Sequence, residues 1–170
     1  SAVAVARWCG IGDRVSAESL SGFRTARGRC RVEKTALGTV IDDSYNASPE
    51  SMLAACRLLS EWRGKGRRIL VLGDMAELGT RAEEFHAEAG REARQSGIDL
   101  LFTCGPLAGL AVEAFGEDAR CFDSSEDLIK AARTLLRPGL TVLIKGSRRA
   151  RMEQVADALV CVAQDGAIAC

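Results

Sequence analysis

Residues 68–104 read RILVLGDMAELGTRAEEFHAEAGREARQSGIDLLFTC, and the order of apolar and polar side chains there decides the fold. Ile69, Leu70, Val71 and Leu72 form a short apolar run between Arg68 and Gly73, the pattern of a strand buried on both faces. A turn with glycine and acidic residues follows, and then Phe85 and Ala89 recur at helical spacing before Gly97. Thr80-Arg81-Ala82-Glu83 has the form of a capping box, which predicts a helix from Thr80 to about Ser96. A second apolar run occupies residues 99–103. Strand, helix and strand in this order make a parallel unit, because parallel neighbours need a crossover too long for a tight turn.

The same grammar extends outward. Residues 140–144 form a third apolar run and residues 119–122 a weaker fourth, so the repeated order predicts a doubly wound α/β sheet and excludes an antiparallel barrel. Ser48-Pro49-Glu50 combines a cap, a residue suited to the first helical position and an acid at the positive dipole end, ahead of a stripe of Met52, Cys56, Leu59 and Trp62. Ser124 opens a helix carrying Leu128, Ala132 and Leu135, stopped by Pro138-Gly139. Ser147 is the expected cap of the last helix, with Met152, Val155 and Leu159 on its buried side. Residues 30–34 and 38–42 flank Thr35-Ala36-Leu37 as a hairpin-like pair would. Before them stand an Ala- and Val-rich start, a candidate short helix over 16–20 and an Arg-rich loop over 24–31. Residues 1–22 are too few for a domain and are expected to be the tail of a preceding one. Residues 164–170, rich in small side chains, are expected to fray.

Composition narrows the function classes. The chain has 170 residues with 23 basic and 23 acidic side chains, which argues against a nucleic-acid footprint. Hydrophobic residues at 47% and charged residues at 27% are those of a chain with a real core. No apolar run reaches the roughly 18 residues a membrane helix needs, and the start lacks the features of a signal peptide, so the chain reads as cytoplasmic. Its seven cysteines include no C-x-x-C pair, the usage of free thiols in a reducing compartment. Cys104 has no resolving cysteine or activating cation near it in sequence, so a redox role fails. With His86 as the one histidine, a His-rich metal site or a Ser-His-Asp triad has almost nothing to draw on.

In an open α/β sheet ligands bind beyond the carboxyl ends of the strands, which selects four loops. Residues 42–49 offer Asp42, Asp43, Tyr45 and Asn46 ahead of a helix, either a capped turn or a set suited to sugar hydroxyls and a base. Asp42 and Asp43 alternate sides of a strand end, so one of them faces a ligand. Residues 73–79 place Asp74 and Glu77 between Gly73 and Gly79, which permit close backbone approach, although a solvated turn has the same composition. Residues 103–106 follow the second run. Lys145-Gly146-Ser147-Arg148 puts two cations, a hydroxyl and backbone N–H groups at one anion-friendly point. No G-x-x-x-x-G-K-[ST] or G-x-G-x-x-G loop occurs, so the usual phosphate cradle is absent.

Together, residues 43–52 (DSYNASPESM), 71–79 (VLGDMAELG) and 145–148 (KGSR) with Met152-Glu153 resemble the Mur ligases, within them the branch that adds D-alanyl-D-alanine to UDP-N-acetylmuramoyl-tripeptide in peptidoglycan synthesis. The resemblance spans about residues 20–160. It implies a Rossmann-like, mostly parallel sheet with helices on both faces, preceded by a short hairpin-like strand pair: the C-terminal domain over 23–163, with residues 1–22 the end of a central ATPase domain. It further implies ATP-dependent amide formation through an acyl phosphate, with ATP, D-alanyl-D-alanine and the UDP-linked tripeptide as partners and magnesium held mostly outside this chain. By resemblance Arg29 reaches the phosphates, Asp43 holds the ribose, and Tyr45 and Asn46 lie by the adenine. Asp74, Glu77, Lys145, Ser147 and Arg148 line the dipeptide pocket with His86 near it, and Arg29 and Lys145 are the catalytic cations. Two departures stand out. Ala26-Arg27 replaces a proline often found before Gly28-Arg29, leaving Arg27, Arg29 and Arg31 open as the phosphate ligand, and Ser48 replaces the usual asparagine. A non-catalytic α/β module using the same loops for a nucleotide or acidic partner is the competing reading, and a phosphate-binding loop encoded upstream would decide against it.

Overall fold

The computed structural model describes residues 2–22, 25–64 and 66–165. Two short helices, α1 (Ala2–Trp8) and α2 (Asp13–Ser21), lead into an antiparallel pair, β1 (Arg31–Thr35) and β2 (Gly38–Asp43). The chain then alternates through α3 (Pro49–Ser60), β3 (Arg68–Gly73), α4 (Ala82–Gln95), β4 (Leu100–Cys104), α5 (Gly109–Phe115), β5 (Ala119–Phe122), α6 (Ser125–Arg133), β6 (Thr141–Lys145) and α7 (Glu153–Asp165). The six strands lie in the order β1-β2-β6-β3-β4-β5, and every pair except β1 with β2 is parallel. The expected sheet, hairpin and helix order are therefore present.

Alternation along each strand sorts the core into two layers. Ile41, Leu70, Leu72, Leu101 and Leu143 face α3, α4 and α5, whereas Val40, Ile69, Val71, Phe102, Val142 and Ile144 face α6 and α7. Fully burying one such aliphatic side chain contributes about 1.5–3 kcal/mol, so covering both faces is what makes an uninterrupted apolar strand stable. The α4–α5 contact depends on Gly90, whose missing Cβ leaves room for the backbone of Ala111.

Two helix starts differ from the sequence expectation. Thr80 forms no capping box: a 3-10 turn spans Gly79–Arg81, and α4 follows with Arg81 at its cap and no side-chain hydrogen bond there. Ser147 does not cap α7 either, because a 3-10 turn over Arg148–Ala150 and a left-handed Arg151 (φ 51°) intervene. Both helices follow site loops, and the chain spends an extra turn before entering them. Ser48 and Ser124 do cap, accepting from the backbone N–H groups of Ser51 and Asp127, and Ser51 completes a true capping box with Ser48. Of the expected frayed end, residues 164 and 165 belong to α7 and residues 166–170 lie outside the described residues. The Arg-rich loop lies partly outside them as well, at Arg24.

Candidate ligand site

The carboxyl ends of β2, β6 and β3 are neighbours in the sheet, so the loops 44–48, 146–148 and 74–78 meet although they are far apart in sequence. The fourth loop selected from sequence, after β4, does not join them. It braces the site instead: the Leu107 and Ala108 N–H groups donate to Asp74 Oδ1 at 3.1 and 2.8 Å. The carbonyl of Asp74 in turn accepts from Ser147 N–H at 2.9 Å. Asp74 thus ties three loops together, with its side chain 23% exposed.

The adjacent aspartates separate as alternation requires. Asp42, buried, accepts from Gly28 N–H at 2.9 Å, Ser44 N–H at 3.2 Å and Ser44 Oγ–H at 2.5 Å. Gly28, at φ 74°, also accepts from Tyr45 N–H at 2.9 Å, which docks the Gly28-Arg29 turn onto the β2 loop. Asp43 points to the other face. Parallel register sets it opposite Lys145, whose Nζ donates to Asp43 Oδ2 at 2.6 Å and to the Asn46 carbonyl at 2.9 Å. Cys30 N–H donates to the second Asp43 oxygen at 3.1 Å, and burial, then the Asp43 charge, push the Cys30 thiol up to about 11.

These bonds frame two clefts with a common wall. The first lies between the β2 end and α3, lined by Arg29, Asp43, Tyr45, Asn46, Ser48 and Lys145, with Ser51, Ala54 and Leu58 on its helical side. The second runs from Tyr45 and Asn46 across Glu77 and Leu78 to Ser147, Arg148 and Arg149. Sequence reasoning missed Arg149 and the α3 residues. Arg149 sits one place past a recognised motif, and the helical lining follows only from how α3 lies on the sheet.

The three open arginines differ in their partners. Arg27 pairs with Asp157 and Arg31 with Glu33, whereas Arg29 has no carboxylate partner among the described residues and lies over the Tyr45 ring, 4.1 Å from its centroid. Lys145 belongs to the first cleft's floor rather than to the second cleft. The register partner Asp43 draws it there, so a role as free cation in the dipeptide pocket does not fit its placement. His86 is fully buried and lines neither cleft: Nε2 accepts from Met75 N–H at 2.9 Å and Nδ1 donates to the Ala82 carbonyl at 2.6 Å. It holds the 74–78 loop from beneath. Glu77, exposed on that loop, has a left-handed backbone (φ 62°), a strained conformation for a residue with a side chain. Ser147 is 1% exposed, and its hydroxyl has no hydrogen-bond partner among the described residues.

Among the described residues no group of three or more His, Cys, Asp or Glu side chains could hold a metal ion. Asp43 Oδ2 accepts from Lys145, and Asp74 Oδ1 accepts from two backbone N–H groups. No helix among them is long and apolar enough to cross a membrane.

A doubly wound sheet with clefts beyond the carboxyl ends of β2, β6 and β3 places the chain among the open α/β domains. The chain belongs to the family described as "Mur ligase, glutamate ligase domain", whose model matches residues 28–148. It is 36% identical over 166 residues to the UDP-N-acetylmuramoyl-tripeptide--D-alanyl-D-alanine ligase of Bacillus subtilis, covering 94% of this chain and 36% of that protein. To the Escherichia coli protein of the same name it is 40% identical over 122 residues, covering 71% of this chain and 26% of the other. The crystal structure of MurF ligase from Thermotoga maritima in complex with ADP superposes with a TM-score of 0.79 at 29% identity, covering 95% of this chain and 36% of that one. The chain therefore spans between about a quarter and just over a third of the length of these relatives.

Proposed function

We propose that this chain is the C-terminal domain, over residues 23–163, of an ATP-dependent ligase that joins D-alanyl-D-alanine to UDP-N-acetylmuramoyl-tripeptide, with residues 1–22 the end of the ATPase domain. In that reaction the tripeptide carboxylate attacks the γ-phosphate of ATP and displaces ADP. The dipeptide amine then attacks the acyl phosphate and releases inorganic phosphate. The first cleft takes the nucleotide, with Arg29 toward the phosphates and Asp43, Tyr45 and Asn46 along the nucleoside. The second takes the dipeptide, its carboxylate toward Ser147 and Arg148 and its ammonium toward Glu77. Asp74, Lys145 and His86 hold the loops in place. Holding the dipeptide by its non-reacting end makes the second step effectively intramolecular.

The observation that carries this reading is the Ser147 hydroxyl. A buried donor without a partner costs free energy, and beside the unpaired Arg148 guanidinium it is the donor set a carboxylate needs. In the complete ligase, Ser147→Ala and Arg148→Ala should each raise the dipeptide KM roughly tenfold or more, since a hydrogen bond to a charged group is worth about 1.5–3 kcal/mol. The ATP KM should stay within about twofold. Variants that lose ATP affinity and keep the dipeptide KM would reverse the two clefts. With no phosphate-binding loop, the 170-residue chain alone should not hydrolyse ATP.

A further inference from the structure

The rim formed by the amino ends of the strands, opposite the clefts, carries a charge imbalance that the neutral total conceals. Residues 57–68 (RLLSEWRGKGRR) and 130–137 (KAARTLLR) hold eight of the 23 basic side chains and one of the 23 acidic ones. The fold brings the two stretches together: Gly66 N–H donates to the Gly139 carbonyl at 3.1 Å and Thr141 N–H to the Arg67 carbonyl at 3.0 Å. The β1–β2 turn adjoins them, since a Cβ on Gly38 would stand 3.3 Å from the Arg137 carbonyl. Lys34, Arg63, Arg67, Arg133 and Arg137 are exposed around this junction. Arg67 faces Asp118 at 3.9 Å, and the other four have no ion pair among the described residues. The acids of the same rim are Glu61 at the end of α3 and, on the β4–β5 side, Asp99, Glu117 and Asp118; Asp99 accepts from Arg68 N–H at 2.7 Å. Arg133, in the last turn of α6, suits the helix dipole, but Arg63 and Arg137 lie past the helix ends. Unpaired cations gathered on one rim repel one another, and an anionic surface relieves that repulsion. Half-buried Leu37, Trp62 and Leu136 and exposed Pro138 lie in the same loops and helix end. An indole among Lys and Arg is the composition that suits a bilayer headgroup layer.

We infer that this basic rim is a docking surface for an anionic lipid bilayer. The inference goes beyond the proposed function and does not depend on which ligand each cleft takes. Strands of five or six residues rising about 3.3 Å each keep the rim and the clefts roughly 15 Å apart, so a bilayer seated on the rim leaves the clefts open. The chain enters β1 at the cleft end, where Cys30 N–H donates to Asp43, so α1 and α2 lead into the sheet from the end opposite the rim. Clusters of four to eight Lys and Arg are what an anionic leaflet attracts, and such a peripheral contact needs no spanning helix.

The test is co-sedimentation of the 170-residue chain with vesicles of equal parts phosphatidylglycerol and phosphatidylcholine, and with phosphatidylcholine alone, at about 0.05 M and about 0.5 M salt. The chain should partition onto the anionic vesicles at the lower salt, leave them at the higher, and ignore the neutral ones. Each cation at an anionic surface is worth about fivefold in partition, so Arg133→Gln with Arg137→Gln should weaken binding roughly twentyfold. Arg7→Gln with Arg14→Gln removes the same charge from α1 and α2 and should stay within about twofold of the unmodified chain. In a Trp8→Phe chain Trp62 is the one remaining tryptophan, and brominated phosphatidylglycerol in the vesicles should quench its fluorescence. Absence of partition, equal partition onto both kinds of vesicle, or partition that survives the higher salt overturns the inference. So does a loss in the Arg133 and Arg137 variant no larger than that in the Arg7 and Arg14 variant, or a Trp62 that the brominated lipid leaves unquenched. Tighter binding to a double-stranded oligonucleotide than to the anionic vesicles at the same salt assigns the rim to nucleic acid and overturns it as well.

Discussion

Replacing Lys145 by methionine removes the ammonium that closes the floor of the first cleft while keeping a side chain of similar length. The Lys145 side chain is 2% exposed and that of Asp43 17%, with Nζ 2.6 Å from Oδ2. Removing one partner of a buried pair typically costs about 3–5 kcal/mol, because the other charge stays buried without compensation. Asp43 keeps the Cys30 N–H at 3.1 Å and some access to water, which puts the charge effect near the lower end, about 3 kcal/mol. The Asn46 carbonyl also loses its Nζ donor, adding about 1 kcal/mol. Equilibrium unfolding of the 170-residue chain in urea should therefore show a midpoint lowered by about 1.3–4 M, taking a total of about 4 kcal/mol and a slope of about 1–3 kcal/mol/M. The double variant Lys145→Met with Asp43→Asn carries no buried charge and should recover to within about 1–2 kcal/mol of the original chain. That recovery corresponds to a coupling energy of about 2 kcal/mol or more in the double-mutant cycle. A cost under about 1 kcal/mol for Lys145→Met alone, or additive effects of the two substitutions, would refute the argument that parallel register locks this pair.

Further outcomes follow from the backbone and the buried thiol. Glu77→Gly relieves a left-handed residue and should raise stability by about 1 kcal/mol, while raising the dipeptide KM of the complete ligase; a loss of stability would mean that the Glu77 side chain holds the loop. Burial pushes the Cys56 thiol up to about 12, so the folded chain keeps a proton that the unfolded chain releases near pH 9. Stability should therefore be unaffected below about pH 8.5 and fall between pH 9 and 12 by up to about 1.4 kcal/mol per pH unit. Cys56→Ala should flatten that limb in urea titrations across pH. At pH 8 a thiol reagent should modify exposed Cys9 and Cys121 rapidly and leave buried Cys56 unreacted until the chain unfolds.

The sequence by itself determined the layers and the loops among which a candidate site could lie. Uninterrupted apolar runs at 68–72, 99–103 and 140–144 specify strands covered on both faces, and the polar loops behind them are the only places such strands leave free for a ligand. Alternation also determined that Asp42 and Asp43 part company, since the period of a strand is a property of the backbone. Tertiary structure decided which candidates share a cleft. Lys145 stands three residues before Arg148, yet strand register gives it to Asp43 on β2, a neighbour about a hundred residues away. Arg27, Arg29 and Arg31 are indistinguishable in composition, and their respective partners Asp157, Tyr45 and Glu33 come from α7, from the loop after β2 and from β1. His86 has the residue type of a catalytic group and becomes a buried brace because α4 places it under the Met75 amide. Local chemistry is written in neighbouring residues, whereas the pairing of charges depends on distances that the chain sets only once the sheet has closed.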